Sequence, residues 1–440
     1  MISVFKKLSR HYNNENFTPT FKKYCKYLWT ICLLLAFCGI VAYGLTFLIF
    51  RYYGNQDFII EHQEILYQLS TVKPDPINTK NRDYKKRIVG YYYRNGNDSI
   101  MMGQLAKLTH AVFAFLELHP DGTIHFESRK AKESFLYLRK LASILKFDAK
   151  IMFSIGGPAN TQFFSPIIQN EEMKRKFIDS IIYFLKQYKL DGVDLFWKWS
   201  SSGDKFTYSS FLQELKHKLR SHRQNYIISI VLPPAGVDTW ELGYDLEEIM
   251  EHVDFMNVYS MDYSGPWDNQ WGTPTGPSAP LAFNIGPRKN FNVDWTMKYY
   301  SCKTQQPGKF NMVIPFYARY WNNVQEAVDP RTEVFRNAEI RNNRADGVPY
   351  MDRSSADYKM ASWDNLTSTP YIWKPDERRF FTFENQKSIA IKTRYAIDMN
   401  LGGVWIWSVD MGDHGNVLLS AVASQEFLTS KNNGKNKYKC

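Results

Sequence analysis

The segment Leu190–Ser200, reading LDGVDLFWKWS, sets Asp191, Asp194, Phe196 and Lys198 within eight positions. Side chains of an extended strand alternate between its two faces, so Asp194, Phe196 and Lys198 share one side. Carboxylates ranged along such a side could hold and deliver a proton, which is the frame of an acid site. Here the frame is only half filled. Asp191 and Asp194 are carboxylates, but the two positions nearest the tip carry a phenyl ring and an ammonium.

Other elements must hold that strand in place. Short apolar runs occur at 87–93, 109–118, 150–155, 190–196, 226–232, 253–261, 310–317 and 402–409. Amphipathic helical stretches at 133–146, 171–188, 207–222, 293–301 and 384–400 lie between most of them. This alternation predicts a parallel α/β fold. Eight strands favour a closed (β/α)8 TIM barrel over an open doubly wound sheet, and no glycine-rich dinucleotide fingerprint follows the first strand. A gap of about 80 residues before the last strand predicts a small inserted α+β subdomain near 321–380. In such a barrel, function gathers where the strands end. Those ends carry Tyr91, Phe115, Ser154–Gly157, the Asp191–Lys198 segment, Asp262, Tyr317, Arg319 and Trp407, with Trp267 and Trp271 in the loop after strand six. A cleft walled by Trp and Tyr suits the C–H faces of a sugar ring.

The motifs GYYYRNG, LTHAVFAF, SIGG, LDGVDLFWKW, MNVYSMDYSGPW, IPFYAR and GGVWIWSVD stand in this order between about Arg87 and Leu428. Together they resemble glycoside hydrolase family 18, the chitinases and chitinase-like proteins. The resemblance implies a substrate-assisted mechanism. In the family pattern Asp-x-x-Asp-x-Asp-x-Glu, the last Asp holds the acetamido group and the Glu protonates the glycosidic oxygen. That pattern falls here on Asp191, Asp194, Phe196 and Lys198, so both working carboxylates are missing and no catalytic group is intact. A lysine near its reference pKa of about 10.4 holds its proton too firmly to donate well at neutral pH. Glu172 and Glu214 lie in helical patterns that should face away from the cleft.

The resemblance further implies Tyr91, Asp262, Tyr317, Arg319 and Trp407 as substrate-binding residues, with Trp267 beside them and Trp407 as the platform beneath the sugar. Met261 stands where the family has a Tyr, and Pro158 where it often has a Trp. The expectation is a catalytically inactive chitinase-like protein that binds chitin or another N-acetylglucosamine-containing glycan and uses no cofactor or metal. Two alternatives stay open: a barrel scaffold that binds a protein partner without glycan, and an active hydrolase that recruits Asp262 as its acid.

Composition frames these readings. Hydrophobic content of 44% and aromatic content of 16% provide for a sizeable core. The net charge of +11 comes from scattered Lys and Arg, and no nucleic-acid-binding signature accompanies it. Leu28–Phe50 is an uncharged run of 23 residues, long enough for a membrane helix. Lys6, Lys7, Arg10, Lys22, Lys23 and Lys26 precede it, which predicts a type II signal anchor with the barrel lumenal or extracellular. The expected organisation is a cytoplasmic tail (1–27), the membrane helix (28–50), a stalk (51–84), the barrel (85–430) and a disordered tail (431–440). Asn97 and Asn365 begin glycosylation sequons. Cys302 and Cys440 could pair or remain free thiols.

Overall fold

The computed structural model describes residues 86–93, 102–145, 148–222, 226–339, 348–349, 358, 360–431 and 435–440. The expected cytoplasmic tail, the membrane run Leu28–Phe50, the stalk and the sequon residue Asn97 lie outside the described residues. Among the described residues no helix is long and apolar enough to cross a membrane.

The strands in chain order are β1 (Arg87–Tyr92), β2 (His110–Leu118), β3 (Ile124–Phe126), β4 (Lys150–Gly156), β5 (Gly192–Phe196), β6 (Ile227–Leu232), β7 (Phe255–Val258), β8 (Phe310–Pro315), seven strands β9–β15 of the insertion, and β16 (Gly403–Trp407). β1, β2, β4, β5, β6, β7, β8 and β16 pair in parallel, and β1 bonds both β2 and β16, which closes an eight-stranded barrel. β3 adds to β2 as a short antiparallel hairpin. The principal helices are α1 (Arg129–Leu145), α2 (Glu171–Gln187), α3 (Lys205–His222), α4 (Leu246–His252), α5 (Val293–Thr304) and α6 (Gln386–Asp398). In α2, Phe177, Ile178, Ile181, Ile182 and Leu185 recur at helical spacing and are buried, and the Asn170 side chain caps the first turn by accepting from the N–H groups of Glu172 and Met173. α4 escaped the sequence reading because LEEIMEH is too short to show a period.

The floor of the barrel is pinned by side chains that sit one residue ahead of a strand. Thr109 Oγ1 accepts the N–H of Ile88 at 2.9 Å, Asp191 Oδ2 that of Ile151 at 2.9 Å, and Asp254 Oδ2 that of Ile228 at 2.8 Å. Each serves the second residue of the preceding neighbour strand, a backbone donor that needs a partner. Above the floor a polar chain threads the interior. Arg87 Nε donates to Asn311 Oδ1 (2.9 Å), Asn311 Nδ2 to Asn257 Oδ1 (2.8 Å), and Asn257 Nδ2 to Tyr91 OH (2.9 Å). The Tyr91 hydroxyl in turn hydrogen-bonds Asp194.

The insertion contains β9 (Tyr317–Trp321), β10 (Val324–Asp329), β11 (Thr332–Ala338), β12 (Val348–Pro349), β13 (Ser362–Asp364), β14 (Thr369–Lys374) and β15 (Arg379–Thr382). Five of these form a sheet in the order β12-β9-β15-β14-β13, with β10 and β11 a separate pair. It begins at Tyr317, ahead of the expected 321, because the apolar run 310–317 is two strands: the chain leaves the barrel at Pro315 and Phe316 without a polar turn residue. Trp321, Val324, Val334, Phe335 and Phe380 form a core of its own.

The C-terminal residues depart from the expected disorder. Cys440 is disulfide-bonded to Cys302 in α5, which also answers the open question of the two thiols. Tyr438 OH lies 2.6 Å from Tyr395 OH, and Lys435 O accepts from Asn400 Nδ2 at 2.9 Å. These contacts hold the segment against the barrel through long-range pairings that local composition does not announce.

Candidate functional site

The strand ends open into a cleft of about 620 Å³. Phe196 and Lys198 line it from the tip of β5, Asp262 and Trp267 from the loop after β7, Tyr317 and Arg319 from β9, and Trp407 from the end of β16. The cleft thus brings these seven residues together. Two glycines shape the neighbouring β4 end. Gly156 and Gly157 have φ of +100° and +81°, and a Cβ on Gly157 would lie 2.5 Å from the Phe115 ring. Only glycine accommodates both the left-handed backbone and that approach.

Phe196 has no solvent exposure. Its ring centroid lies 5.5 Å from Phe115, 5.9 Å from Trp407, 6.1 Å from Tyr259 and 6.2 Å from Trp199. Phe196 is therefore the centre of an aromatic cluster, an environment that would penalise a carboxylate at its position. Lys198 extends into the cleft with its ammonium 4.9 Å from the Tyr259 ring centroid and 5.9 Å from that of Trp199. Burial pulls its pKa below the usual lysine value, Asp262 pulls it back up and Arg319 pushes it down again.

Asp262 is bound on both oxygens. Oδ1 accepts from Tyr317 OH at 2.5 Å and Arg319 Nη2 at 2.6 Å, and Oδ2 from Tyr259 OH at 2.7 Å. Burial raises its pKa, but Arg319, Lys198 and the two tyrosine hydroxyls outweigh that effect and hold it at about 2. At neutral pH this carboxylate has no proton to give. Asp238 also lines the cleft and is exposed at its edge.

Two aspartates of the motif and one tyrosine expected to bind substrate lie outside the cleft. Asp191 stands at the foot of β5, bonded to Ile151 N–H and 3.8 Å from Lys150 Nζ. Asp194 is in the barrel interior, fully buried, accepting from Ser154 Oγ at 2.7 Å and Ser229 Oγ at 2.6 Å. Tyr91 is fully buried beneath the cleft, with its ring 5.1 Å from Trp405. Its place at the mouth is taken by Tyr93, two residues on along the same strand face and 43% exposed. The strand end was read one step of alternation too early. Met261 lines the cleft and is buried, 3.5 Å from Tyr317 OH through its sulfur. Asn365 is exposed in the turn between β13 and β14. Glu172 and Glu214 face away from the cleft as expected, paired with Lys176 at 2.9 Å and Lys174 at 3.2 Å.

Sequence reasoning missed Trp199, Trp240 and Tyr259, all in the cleft wall. A signal for Tyr259 existed. In the YSMD segment a Tyr and a Met have exchanged places relative to the family's Met-x-Tyr-Asp, so a hydroxyl still reaches Asp262 from a different residue.

Comparison with known proteins gives the same picture. The profile of the family described as "Glycosyl hydrolases family 18" matches residues 87–412. "Probable chitinase 10" of Drosophila melanogaster is 23% identical over 384 residues, 81% of this chain and 16% of that protein. "Probable endochitinase" of Caenorhabditis elegans is 24% identical over 323 residues, 69% of this chain and 52% of that protein. The chain thus spans about half or less of these two relatives' length. Human "Chitinase-3-like protein 2" is 26% identical over 282 residues, 60% of this chain and 70% of that protein. Among solved structures, human YKL-39, described as a pseudo-chitinase with retained chitooligosaccharide binding properties, superposes with a TM-score of 0.67 at 21% identity, covering 77% of this chain and 98% of that one. The Ostrinia furnacalis Group IV chitinase in complex with allosamidin gives 0.64 at 22% identity, covering 77% and 97%. At these identities the two structures establish a shared fold.

Proposed function

The chain belongs to glycosyl hydrolases family 18, and we propose that it is a member that binds an N-acetylglucosamine-containing glycan without cleaving it. One observation carries this reading: the cleft presents Lys198 and Phe196 where a proton donor and its carboxylate partner would stand, and its inner carboxylate, Asp262, is locked in its charged form. General acid catalysis alone contributes about 10²–10⁴-fold, and the electrostatic support of the developing charge is lost as well. The aromatic walls and Trp407 support retained sugar binding. The structurally similar YKL-39, described as keeping such binding, offers a precedent for it.

The test is incubation with a fluorogenic chito-oligosaccharide glycoside beside a tryptophan-fluorescence titration with chitohexaose. We expect no fluorophore release and a saturable titration that Trp407→Ala removes. Release abolished by Asp262→Ala would overturn the inactive assignment.

A second reading, a scaffold without glycan binding, is favoured by one feature. The Trp407 ring is approached at 5.1 Å by Tyr93 and at 5.8 Å by Phe115, both at shallow tilt, so protein rings compete for the surface a sugar would use. Absence of any titration signal would select it.

The run Leu28–Phe50 with its basic N-terminal flank supports a further proposal, that the barrel is held by a type II anchor on the lumenal or extracellular side. Protease protection of the full chain in sealed vesicles tests this, and digestion of the barrel from the cytoplasmic side would refute it.

A further inference from the structure

Lys198 is the cation of the cleft that has no ion pair, although Asp262 attracts it from a distance. Among the described residues its ammonium has no acid within ion-pair distance and no hydrogen-bond acceptor, and it lies over the rings of Tyr259 and Trp199. Arg319, the other cation of the wall, is already bound to Asp262. Asp262 forms its ion pair with Arg319 and none with Lys198, which it reaches only through longer-range attraction. The same wall holds a second unanswered donor: the indole N–H of Trp199 is buried without a partner among the described residues. A part-buried cation without an ion pair, set among aromatic rings in an open cleft, forms a binding element for an anion, because such a charge gains from an opposite one.

Resting on the glycan-binding reading above, we infer that the cleft selects an anionic glycan, an N-acetylhexosamine oligomer bearing carboxylate or sulfate groups, and that Lys198 is the residue that selects it. A neutral oligomer would cover the ammonium and supply only hydroxyl acceptors, leaving the charge without its counterpart. An acidic sugar brings that counterpart while its ring still meets Trp407 and Trp267. Electrostatic matching of this kind governs discrimination between ligands of equal size. The lysine therefore converts the place of proton donation into a place of charge recognition.

The full chain is titrated at constant ionic strength with three hexasaccharides: neutral chitohexaose, O-sulfated chitohexaose, and a hyaluronan hexamer that alternates N-acetylglucosamine with glucuronate. At least one anionic ligand should bind about tenfold tighter than chitohexaose, and the preferred arm tells sulfate from carboxylate. Lys198→Met, verified as folded by its melting curve, should erase the anionic advantage, and Lys198→Arg should keep most of it. Equal affinity for neutral and anionic ligands, or an advantage that survives Lys198→Met, overturns the inference; the glycan-binding reading still stands if chitohexaose binds. Failure of all three ligands to bind overturns both.

Discussion

Asp194 and Asp262 are two carboxylates sheltered from water in neighbouring regions of the barrel, and their chemistry diverges. Asp194 lies in the interior among hydroxyl and amide donors, with no cation beside it. Burial lifts its pKa to about 6, although the donors from Ser154, Ser229, Tyr91 and Asn257 resist. Asp262 lies in the cleft wall, where burial pushes the same way but Arg319 and Lys198 reverse the result to about 2. Burial alone does not set a carboxylate's protonation; the sign of its neighbours does. The residue that keeps its proton to the higher pH lies in the barrel interior, and the residue in the cleft wall loses its proton far below neutrality.

The largest expected perturbation is Asp262→Ala. It strands the buried Arg319 guanidinium, and urea denaturation should show a loss of about 3–5 kcal/mol. A loss below about 1 kcal/mol would mean the pair is better solvated than its geometry suggests. Next comes the double change Phe196→Asp with Lys198→Glu, which rebuilds the family pattern. It sets two acids into an aromatic cluster, and the loss should be about 3 kcal/mol with little or no glycosidase activity. Activity near that of working chitinases would break the contrast between a reworked cleft and a retained frame.

The pH dependence sharpens the comparison further. The folded pKa of Asp194 lies above its ordinary 3.8, so its contribution is full below about 3.8 and is lost as pH rises through about 6. The stability gap between wild type and Asp194→Asn should shift against wild type by about 2 kcal/mol between pH 4 and 7. For Asp262 the sign is opposite. Its stabilisation is present above 3.8 and disappears as pH falls through about 2, so the wild-type advantage over Asp262→Asn should fade only at the acid end. Parallel slopes for the two variants would refute the assignment. The smallest effect belongs to Lys198→Met. Relief of a partly desolvated ammonium and loss of its attraction to Asp262 oppose each other, so stability should change by less than about 1 kcal/mol, seen as little or no shift in melting temperature.

The barrel was legible because parallel strands covered on both faces read as continuous apolar runs, and eight of them leave few other closures. The cleft was legible where a residue type is unusual for a strand end, as with Lys198, Arg319 and Trp407. Depth was not legible. Tyr91 and Tyr93 share a strand face, and nothing in GYYY says which of them ends below the cleft floor. Asp191 and Asp194 sit in one motif, but one pins the outer floor and the other closes an interior polar chain, a division set by where β5 starts rather than by residue type. Tyr259 was hidden by a positional exchange that keeps the hydroxyl and moves its backbone. The tail was misread because Lys and Asn dominate it, whereas its order comes from Cys302, Tyr395 and Asn400 far away in sequence.

Cys440 is joined to Cys302 near the end of α5, and a helix that follows a barrel strand runs back toward the floor. Anything fused behind Cys440 therefore departs from the side of the molecule opposite the mouth. A fluorophore or a sensor surface attached there would leave the mouth of the cleft unobstructed.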